Sequence, residues 1–361
     1  MVDADGRVIN LRSVEGFIVF DLPGAALSAG GTRLAPDVSV DEVALLARAM
    51  TYKFAILHEP IAGAKAGIRA DPADRRGRAA TMAKYVDEIR SLVDAGRFLT
   101  GPDMGTFEED FAALRDRGAI PPAIRSIVGD VAFEDLLTGF GVVASAEAAL
   151  RGLVSEGWAG KSAAVEGFGK VGGGVVREVV RRGGRVVALS TIAGCIVDPE
   201  GLDVQRLLAL RAEHADRCID HYGLPIGPPD DLFAVEADVL VPGARTGSVS
   251  ESLARSLPPR TRVVAPAANV PYTEKGLAVL RERGIAAMAD FVCNAGAVIG
   301  YRSRREASPE QILADVERRI TDLTRRSMAH PDGPFAGACA LATGFLRTWW
   351  GHPPDPPLAP G

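Results

Sequence analysis

The chain has 361 residues, of which 47% are hydrophobic and 24% charged, and it carries a formal net charge of −5. This composition is typical of globular proteins, and the negative charge argues against nucleic acid or an anionic membrane surface as a partner. Because a single hydrophobic core stops growing near about 250 to 300 residues, the length predicts two domains separated by a cleft.

The first third of the chain predicts an α+β domain. Its start, MVDADGRVIN, lacks the basic and apolar regions of a signal peptide, which predicts a cytoplasmic protein. Residues 15–35 alternate apolar and polar positions before glycines, as strands joined by turns do. Helical periodicity follows over 41–59, 79–93 and 105–118. We expect this first domain to span residues 1–135.

Beyond residue 138 the pattern changes to helices that alternate with short apolar strands. Strand 162–168, a helix through 175–183 and strand 185–191 form a βαβ unit, which requires a parallel sheet. A Rossmann-like, doubly wound domain is therefore predicted for residues 136–304. Its further strands are expected at 237–244, 261–269 and 286–294.

The C-terminal part predicts a return to the first domain and then an irregular tail. Residues 308–328 show the pattern of an amphipathic helix that begins at a Ser-Pro cap, and we expect the helices of about 305–350 to join the first domain. The tail, 352–361, contains five prolines. Because proline lacks an N–H donor, we expect this tail to be polyproline-like or disordered.

Neither a metal site nor a membrane span is predicted. The histidines never pair at metal-ligand spacing, and no apolar run of 18 residues is free of charge. The cysteines lie far apart without a CxxC pair, so we expect reduced, mostly buried thiols at Cys195, Cys218, Cys293 and Cys339.

The segment EGFGKVGGGVV, residues 166–176, has three glycines that follow an apolar strand and open a helix. This is the context that a dinucleotide fingerprint requires. The first glycine permits the tight turn, the second lets the backbone approach the pyrophosphate, and the third lets the helix pack on the strand. The turn could otherwise be purely structural. The predicted cofactor-binding residues are Gly167, Phe168, Gly169, Lys170, Val171 and Gly172.

The next strand ends in Ser190 and Thr191, which are expected at the cofactor ribose. No acidic residue stands there for the ribose hydroxyls, and no arginine follows for a 2′-phosphate. Asp198 lies further along in a hairpin-like segment and is interpreted as a turn aspartate. Ala244, after a later strand, is expected at the same site. NAD is favoured, and NADP is not excluded.

Two lysines stand among apolar or small residues in the first domain. Lys53 lies in MTYKFAI and Lys65 in PIAGAKAGI. A lysine stripped of water can act as a base near neutral pH, although either side chain could instead extend to solvent. Asp103, in LTGPDMGT, is a third candidate, with helix capping as its structural alternative.

Seven segments stand in an order that resembles the glutamate/leucine/phenylalanine/valine dehydrogenase family, with markers from about residue 16 to 301. They are GGTR (30–33), MTYK (50–53), PIAGAK (60–65), TGPDMGT (100–106), GFGKVG (167–172), AAN (267–269) and NAGAV (294–298).

The resemblance implies an NAD(P)-dependent oxidative deamination of an L-amino acid to a 2-oxo acid and ammonia, reversible as reductive amination. Lys53 would hold the substrate carboxylate, and Lys65 would be the catalytic lysine that activates the attacking water. Asp103 would carry protons to and from the amino nitrogen. Asn269 and Asn294 would lie beside the nicotinamide ribose and amide. The family also implies a homo-oligomer.

The residues expected at the substrate side chain are Ala29, Gly30, Thr138, Val298 and Tyr301. Glutamate-specific members resemble KGG where this chain has Ala29-Gly30-Gly31, so the lysine for a γ-carboxylate is missing. An unpaired carboxylate in a mostly apolar pocket is costly. We therefore expect a large apolar or aromatic amino acid, not glutamate, as in the leucine and phenylalanine branch, although Tyr301 would take back volume.

Three departures from the family pattern concern the substrate more than the reaction class. The glycine-rich catalytic loop reads AGAKAG at 62–67, with methyl groups that we expect to crowd the cleft. NAGG becomes Asn-Ala-Gly-Ala at 294–297, and Pro266 removes a donor near the cofactor.

Two other readings compete with this interpretation. One is a weakly active or non-catalytic paralogue that binds a nucleotide and acts as a regulator. The other is an oxidoreductase of similar two-domain plan, related to malic enzyme or to folate dehydrogenases, without ammonia chemistry. Joint retention of both lysines and Asp103 argues against the first, and TGPDMGT with MTYK argues against the second.

Overall fold

The computed structural model describes residues 6–114, 121–128 and 131–361. The chain divides into two compact units, one of residues 1–117 with 342–357 and one of 118–341 with 358–361. The end of the helix expected at 105–118 lies outside the described residues.

The first unit is built on a six-stranded mixed sheet. Its order is β1-β2-β5-β3-β6, and β4 pairs with β5 beyond β3. The β5 strand is antiparallel to β2 and parallel to β3 and β4. All seven residues of β5 are buried. The strands are β1 (Val8–Asn10), β2 (Gly16–Phe20), β3 (Ser28–Ala29), β4 (Thr32–Leu34), β5 (Ala62–Ile68) and β6 (Phe98–Leu99).

Two long helices pack on this sheet, α1 (Val40–Ile56) and α2 (Arg75–Asp94). Both helices are capped at the N-terminus by a side chain. The Ser39 side chain accepts a hydrogen bond from the Glu42 N–H, and the Asp74 side chain accepts one from the Gly77 N–H. The α1 helix contributes to an apolar cluster with Phe17 and Val19, and α2 to another with Ile18 and Phe20. Neighbouring residues of β2 therefore point to opposite helices, as strand alternation requires.

The helix expected at 105–118 is a 3-10 helix, Glu108–Leu114, in the described residues. Thr106 does not cap it. Its hydroxyl donates to the Thr32 carbonyl at 2.8 Å and accepts the Asp103 N–H at 2.9 Å. The side chain is therefore used to hold the preceding turn against β4.

The second unit contains the predicted parallel sheet, which confirms a Rossmann-like doubly wound architecture. Its order is β11-β10-β9-β12-β13-β14, parallel throughout except for β11 at the edge. A short ladder joins Ile127–Val128 (β7) to Val131–Ala132 (β8). The sheet strands are β9 (Ser162–Glu166), β10 (Arg185–Thr191), β11 (Gly194–Val197), β12 (Val239–Val241), β13 (Val263–Val264) and β14 (Ala286–Ala287).

Nine α-helices follow the two of the first unit among the described residues, and α3, α4 and α7 pack against strands of this sheet. The longest, α3, is apolar and long enough to cross a membrane by composition, but 67% of its most apolar window is buried in the protein. It is therefore a core helix. The helices are α3 (Phe133–Val154), α4 (Lys170–Arg181), α5 (Val204–His214), α6 (Glu251–Ser256), α7 (Glu274–Glu282), α8 (Asp290–Cys293), α9 (Gly296–Tyr301), α10 (Pro309–Met328) and α11 (Pro334–Trp349).

The amphipathic helix α10 lies in the second unit, whereas the sequence placed it with the first. Its apolar side, including Ile312, Val316 and Ile320, is fully buried. The Thr324 hydroxyl shares a 2.9 Å hydrogen bond with Ser145 of α3. Amphipathic periodicity shows that a helix has a partner, but it does not show which element the partner is. Of the segment expected to return, only residues from Ala342 onward belong to the first unit.

The proline-rich tail, for which the sequence predicts a polyproline-like or disordered chain, forms hydrogen bonds through its backbone to residues distant in sequence. In the first unit, the Arg48 guanidinium donates to the Asp355 carbonyl at 2.7 Å, and the Tyr52 hydroxyl donates to the Pro354 carbonyl at 2.7 Å. In the second unit, the Ala359 N–H donates to the Tyr272 carbonyl at 2.9 Å. Proline removes donors but leaves carbonyl acceptors, and side chains distant in sequence use them.

Candidate functional site

Lys65 projects from the central strand β5 and is 4% exposed. Its neighbours on the same face are glycines, and a Cβ at Gly63 would lie 1.8 Å from the Ala47 carbonyl oxygen of α1. The helix backbone therefore packs directly on this strand. The Lys65 Nζ lies 2.7 Å from Asp103 Oδ2. The buried ammonium is thus paired with a carboxylate, as burial of a charge requires.

The alanines around Lys65 do not crowd the lysine. Ala64 and Ala66 lie in the apolar cluster that includes Met82 and Tyr85 of α2. Because side chains alternate along a strand, their methyl groups point away from the face that carries Lys65. The segment expected to be a catalytic loop is a core strand, so the expectation that these methyl groups crowd the cleft is wrong.

Asp103 stands in a turn that runs beside β4. The Thr32 N–H donates to the Gly101 carbonyl and the Leu34 N–H to the Met104 carbonyl, both at 2.9 Å. Asp103 Oδ1 accepts the Met104 N–H at 2.7 Å, while Oδ2 meets Lys65. The carboxylate is thus aimed by its own turn at the lysine, and it does not cap the helix that follows.

The Asp103 carboxylate is held in its ionised form. Burial raises the pKa of this carboxyl, but the positive charges of Lys65 and Arg33, with hydrogen bonds from Lys65 and the Met104 N–H, lower it from 3.8 to about 2. The side chain is 17% exposed. A buried, paired carboxylate of this kind is a candidate for proton transfer.

Lys53 lies in the last turn of α1 and is 6% exposed, so neither candidate lysine extends into solvent. Two residues before it, the Thr51 hydroxyl donates to Asp21 Oδ2 at 2.6 Å and accepts the Gly63 N–H at 2.9 Å. Arg48 Nε also donates to Asp21, at 2.6 Å. This network joins α1 to β5 two residues before each of the two lysines.

The sequence interpretation did not single out Asp21, Arg48 or Thr51. A threonine inside the otherwise apolar end of α1 was the available signal, since Thr51 is fully buried. Asp21 lies 30 residues from Thr51, and no local pattern connects them.

Ala29 and Gly30 lie next to β5. Ala29 pairs with Gly63 in the parallel ladder and is 8% exposed. A Cβ at Gly30 would lie 1.8 Å from the Ala64 carbonyl oxygen, so only glycine fits there. The strand that carries Ala29 therefore runs directly alongside the strand that carries Lys65.

The glycine turn in the second unit has the geometry that a dinucleotide requires. Gly167 adopts φ 85°, and its N–H donates to the Ser190 carbonyl at 3.0 Å. A Cβ at Gly172 would lie 2.1 Å from the Gly167 carbonyl oxygen, whereas one at Gly169 would meet nothing within 4 Å. The open space at Gly169, just before α4, leaves the helix N-terminus accessible to a pyrophosphate. In the same turn Phe168 is buried, Val171 is half-buried and Lys170 is exposed.

The ends of β9 and β10 meet this turn. Ser190 and Thr191 are buried, and Thr191 Oγ1 accepts the Ala193 N–H at 3.1 Å. Asp198 Oδ1 accepts the Glu200 N–H at 3.0 Å, as interpreted for a turn aspartate.

A buried carboxylate that sequence reasoning missed stands immediately before the glycine turn. Glu166 Oε2 accepts the N–H groups of Gly243 and Ala244, at 3.2 and 3.3 Å, and Arg245 Nε lies 3.1 Å from Oε1. Ala244 is therefore held through its backbone N–H by the Glu166 side chain at the end of β9. Glu166 was quoted within the turn sequence, but its partners lie almost 80 residues away.

Asn269 and Asn294 contact each other. The Asn294 Nδ2 donates to Asn269 Oδ1 at 2.9 Å and to the Ala267 carbonyl at 3.2 Å. The Asn294 Oδ1 is buried without a hydrogen-bond partner. An orphaned buried acceptor is costly, and a ligand amide N–H would satisfy it. These residues fit the carboxamide of a nicotinamide.

Thr138 lies on α3, and Val298 and Tyr301 lie on α9. A Cβ at Gly296 would lie 1.9 Å from the Leu137 carbonyl oxygen and 3.3 Å from the Thr138 nitrogen. The start of α9 therefore lies on α3 beside Thr138, and the same short helix carries Val298 and, at its end, Tyr301. All three side chains are half-buried.

Among the described residues, no group of three or more His, Cys, Asp or Glu side chains could hold a metal ion. The four predicted thiols are buried and free. Burial raises the pKa of Cys195 to about 11 and that of Cys293 to about 12. Their placement gives no sign of nucleophilic chemistry.

Comparison with known families accounts for most of the chain. The family model described as Glutamate/Leucine/Phenylalanine/Valine dehydrogenase matches residues 129–318. A second model, described as the dimerisation domain of Glu/Leu/Phe/Val dehydrogenase, matches residues 8–118. Among curated relatives, glutamate dehydrogenase A2 of Halobacterium salinarum is 30% identical over 312 residues, which cover 82% of this chain and 73% of the relative.

Solved structures share the fold over nearly the whole length. The hetero-hexameric glutamate dehydrogenase of Thermus thermophilus, in its leucine-bound form, is 26% identical with a TM-score of 0.78, covering 96% of this chain and 86% of that one. The L-tryptophan dehydrogenase of Nostoc punctiforme is 21% identical with a TM-score of 0.62, covering 95% and 96%. At that identity the second comparison supports the fold alone.

Proposed function

Because this chain belongs to the glutamate/leucine/phenylalanine/valine dehydrogenase family, we propose that it oxidatively deaminates an L-amino acid with an apolar or aromatic side chain. Members of this family are amino-acid dehydrogenases, oxidoreductases that act on CH–NH2 donors with NAD(P). In the proposed reaction, the amino acid, water and NAD(P)+ give the 2-oxo acid, ammonium, NAD(P)H and a proton. The observation that carries the proposal is the buried ion pair between Lys65 and Asp103.

The proposed roles follow from the charges of the first unit. Lys53 binds the substrate carboxylate as a point charge. Lys65, in its neutral form, takes a proton from the water that attacks the imine carbon and then stabilises the carbinolamine oxygen. Asp103 exchanges protons with the amino nitrogen as ammonia leaves. The hydrogen bonds of Thr51 with Asp21 and Gly63 hold α1, which carries Lys53, in a fixed position on β5, which carries Lys65.

The dinucleotide is proposed to bind the glycine turn of the second unit. When bound, it accepts the hydride from the substrate Cα, and this chemistry belongs to the cofactor. The open backbone at Gly169 would hold the pyrophosphate, and the orphaned Asn294 oxygen would accept from the carboxamide. The end of β10 presents Ser190 and Thr191, with no acidic side chain for the ribose hydroxyls. We propose NAD as the cofactor, with NADP as the alternative that the assay decides.

The proposed substrate class rests on Ala29. Its methyl group stands one residue before the obligatory Gly30 and beside β5, where the family resemblance places a lysine in glutamate-specific members. Without that lysine, a γ-carboxylate would lie unpaired in an apolar pocket. The curated relative named above is a glutamate dehydrogenase, so glutamate is the alternative that a direct assay must exclude.

A substrate panel tests the proposal. Purified protein is incubated with L-phenylalanine, L-tryptophan, L-leucine, L-valine or L-glutamate and either NAD or NADP, and reduced cofactor is followed by absorbance. We expect turnover with at least one apolar amino acid and a kcat/KM for glutamate at least about 100-fold lower. Preference for glutamate would overturn the substrate class. Silence on every amino acid with both cofactors would overturn the reaction and favour a non-catalytic role.

The proposed assembly is a homo-oligomer formed through the first unit. The family model for residues 8–118 is described as a dimerisation domain, and the Thermus relative is described as hexameric. Light scattering with size exclusion measures the assembly, and a monomer at all concentrations would contradict the proposal.

A further inference from the structure

Arg33 is a buried cation beside the proposed catalytic pair. It lies on β4, in register with Gly67 of β5, and its side chain is 10% exposed. Its Nη1 lies 2.5 Å from Glu42 Oε1, and its Nε lies 3.7 Å from Asp103 Oδ2. The Nε atom is buried and makes no hydrogen bond. The guanidinium therefore bridges the first turn of α1 and the carboxylate of the TGPDMGT turn.

Four charges alternate in sign along this path, in the order Glu42, Arg33, Asp103 and Lys65. Two cations share one oxygen of Asp103, but they differ in kind. The ammonium of Lys65 must lose its proton if this lysine is to act as a base, and Asp103 then loses its partner. The guanidinium of Arg33 cannot be deprotonated in a protein.

We propose that Arg33 is a positioning residue that holds the Asp103 carboxylate in place and keeps it ionised while the Lys65 amine is neutral. This inference rests on the proposed function. Glu42 anchors the guanidinium at Nη1, while Nε lies 3.7 Å from Asp103 Oδ2. A buried carboxylate left without a cation would take up a proton and would no longer accept one from the substrate amino group.

The groups around Asp103 support this assignment. The β5 strand contributes Lys65, β4 contributes Arg33, and α1 contributes Glu42 through Arg33. The α2 helix contributes the Tyr85 hydroxyl, which is occupied by Thr32 Oγ1 at 2.7 Å. Lys53 lies three turns beyond Glu42 on α1, about 16 Å along the helix axis. When Lys65 is neutral, Arg33 is therefore the cation among these groups that still stabilises the charge of Asp103.

The kinetic test compares Arg33→Met, which removes the charge, with Arg33→Lys, which keeps it. For Arg33→Met we expect the acidic limb of kcat/KM to move up by about one pH unit, because a cation beside a carboxyl lowers its pKa by about 1 to 3 units. On the acidic side of the profile we expect kcat/KM to fall by about tenfold, which is what a one-unit shift gives, with KM within about threefold. Arg33→Lys should recover at least half of the shift. Arg69→Met, a partly exposed arginine paired with Glu15, is the matched control.

Glu42→Gln separates charge from structure. This variant removes the carboxylate that anchors Arg33 but leaves the Arg33 cation beside Asp103. The acidic limb of kcat/KM should therefore stay at the same pH or move to lower pH, whereas Arg33→Met should move it to higher pH. If Arg33→Met and Glu42→Gln move the limb in the same direction, or if Arg33→Met leaves it unmoved, the proposal is overturned.

A labelling experiment tests Arg33 without turnover. The chain has six lysines, so acetylation of Lys65 by acetic anhydride can be followed by mass spectrometry relative to the exposed Lys84. Without the Arg33 cation, Asp103 should take up the proton that it shares with Lys65, so that more of the amine is free to react and Lys65 acetylation becomes faster by about threefold or more at pH 8. An unchanged ratio of Lys65 to Lys84 overturns the proposal, whereas silence in the substrate panel overturns only the proposed function.

Discussion

The Thr51 hydroxyl accepts the Gly63 N–H at 2.9 Å and donates to the buried Asp21 carboxylate at 2.6 Å. One side chain thus joins α1 to β5 two residues before Lys53 on the helix and two residues before Lys65 on the strand. We expect these hydrogen bonds of Thr51 to fix the distance between the Lys53 amine, proposed to bind the substrate, and the Lys65 amine, proposed to be catalytic. Thr51 itself takes no part in the reaction.

Thr51→Val should destabilise the fold and slow the reaction together. It leaves the Gly63 N–H and an Asp21 oxygen unsatisfied, which we expect to cost about 1 to 3 kcal/mol of unfolding free energy. Urea denaturation measures this loss, and steady-state kinetics should show a fall in kcat. Thr51→Ser keeps the hydroxyl and serves as the control. Equal stability of the valine and serine variants would show that the Thr51 hydroxyl does not stabilise the contact between α1 and β5.

Lys65→Ala should abolish turnover while dinucleotide binding remains. We expect kcat to fall by at least about 1,000-fold, since general base and oxyanion stabilisation are lost together. The glycine turn belongs to the other unit, so the Kd for the dinucleotide should stay within about threefold by calorimetry. Lys84→Ala, at an exposed lysine, controls for loss of an amine. Turnover within tenfold of the parent protein would show that the role assigned to Lys65 is wrong.

Gly172→Ala and Gly169→Ala should fail in different ways. A Cβ at Gly172 would lie 2.1 Å from the Gly167 carbonyl oxygen, so we expect lower thermal stability and weak dinucleotide binding. A Cβ at Gly169 meets nothing within 4 Å, so stability should be retained while binding alone weakens. Differential scanning fluorimetry and calorimetric titration with NAD separate the two effects. Normal binding by Gly169→Ala would place the pyrophosphate elsewhere.

Ala29→Lys should shift the substrate preference toward glutamate. The new ammonium would offer a partner to a γ-carboxylate and would introduce an unpaired charge next to an apolar side chain. We expect kcat/KM for L-glutamate to rise and that for the preferred apolar amino acid to fall, each by about tenfold or more. Ala29→Met, of comparable length without charge, is the control. A gain with glutamate in both variants would point to size instead of charge.

Asp103 should make stability depend on acid. Its pKa is lowered from 3.8 to about 2 in the folded chain, so the stabilisation is fully present above about pH 4 and is lost as the pH falls toward 2. The difference corresponds to about 2 kcal/mol. Unfolding free energies measured from pH 5 to pH 2.5 should fall less steeply in Asp103→Asn. Identical slopes in the two proteins would show that Asp103 is not held ionised by its neighbours.

The sequence was sufficient for several of the elements and for the groups whose neighbours along the chain reveal them. Strand alternation around Gly16–Phe20, helical periodicity over Val40–Ile56 and the glycine spacing at 167–172 are short-range patterns, and the structure has these elements where they were predicted. Lys53 and Lys65 stood out for the same reason, since a cation among apolar neighbours is visible from the sequence alone.

The partners of those groups were decided only by the tertiary structure. Asp21 with Thr51, Arg33 with Asp103, and Glu166 with Arg245 are separated by 30 to 79 residues, and no local pattern ties them together. The strand alternation that turned the methyl groups of Ala64 and Ala66 away from Lys65 required knowing that their segment is a strand. Two side chains that are distant in sequence become partners because their elements pack against each other in the folded core. The periodicity of a sequence shows that an element has an apolar face, but it does not show which other element packs on that face.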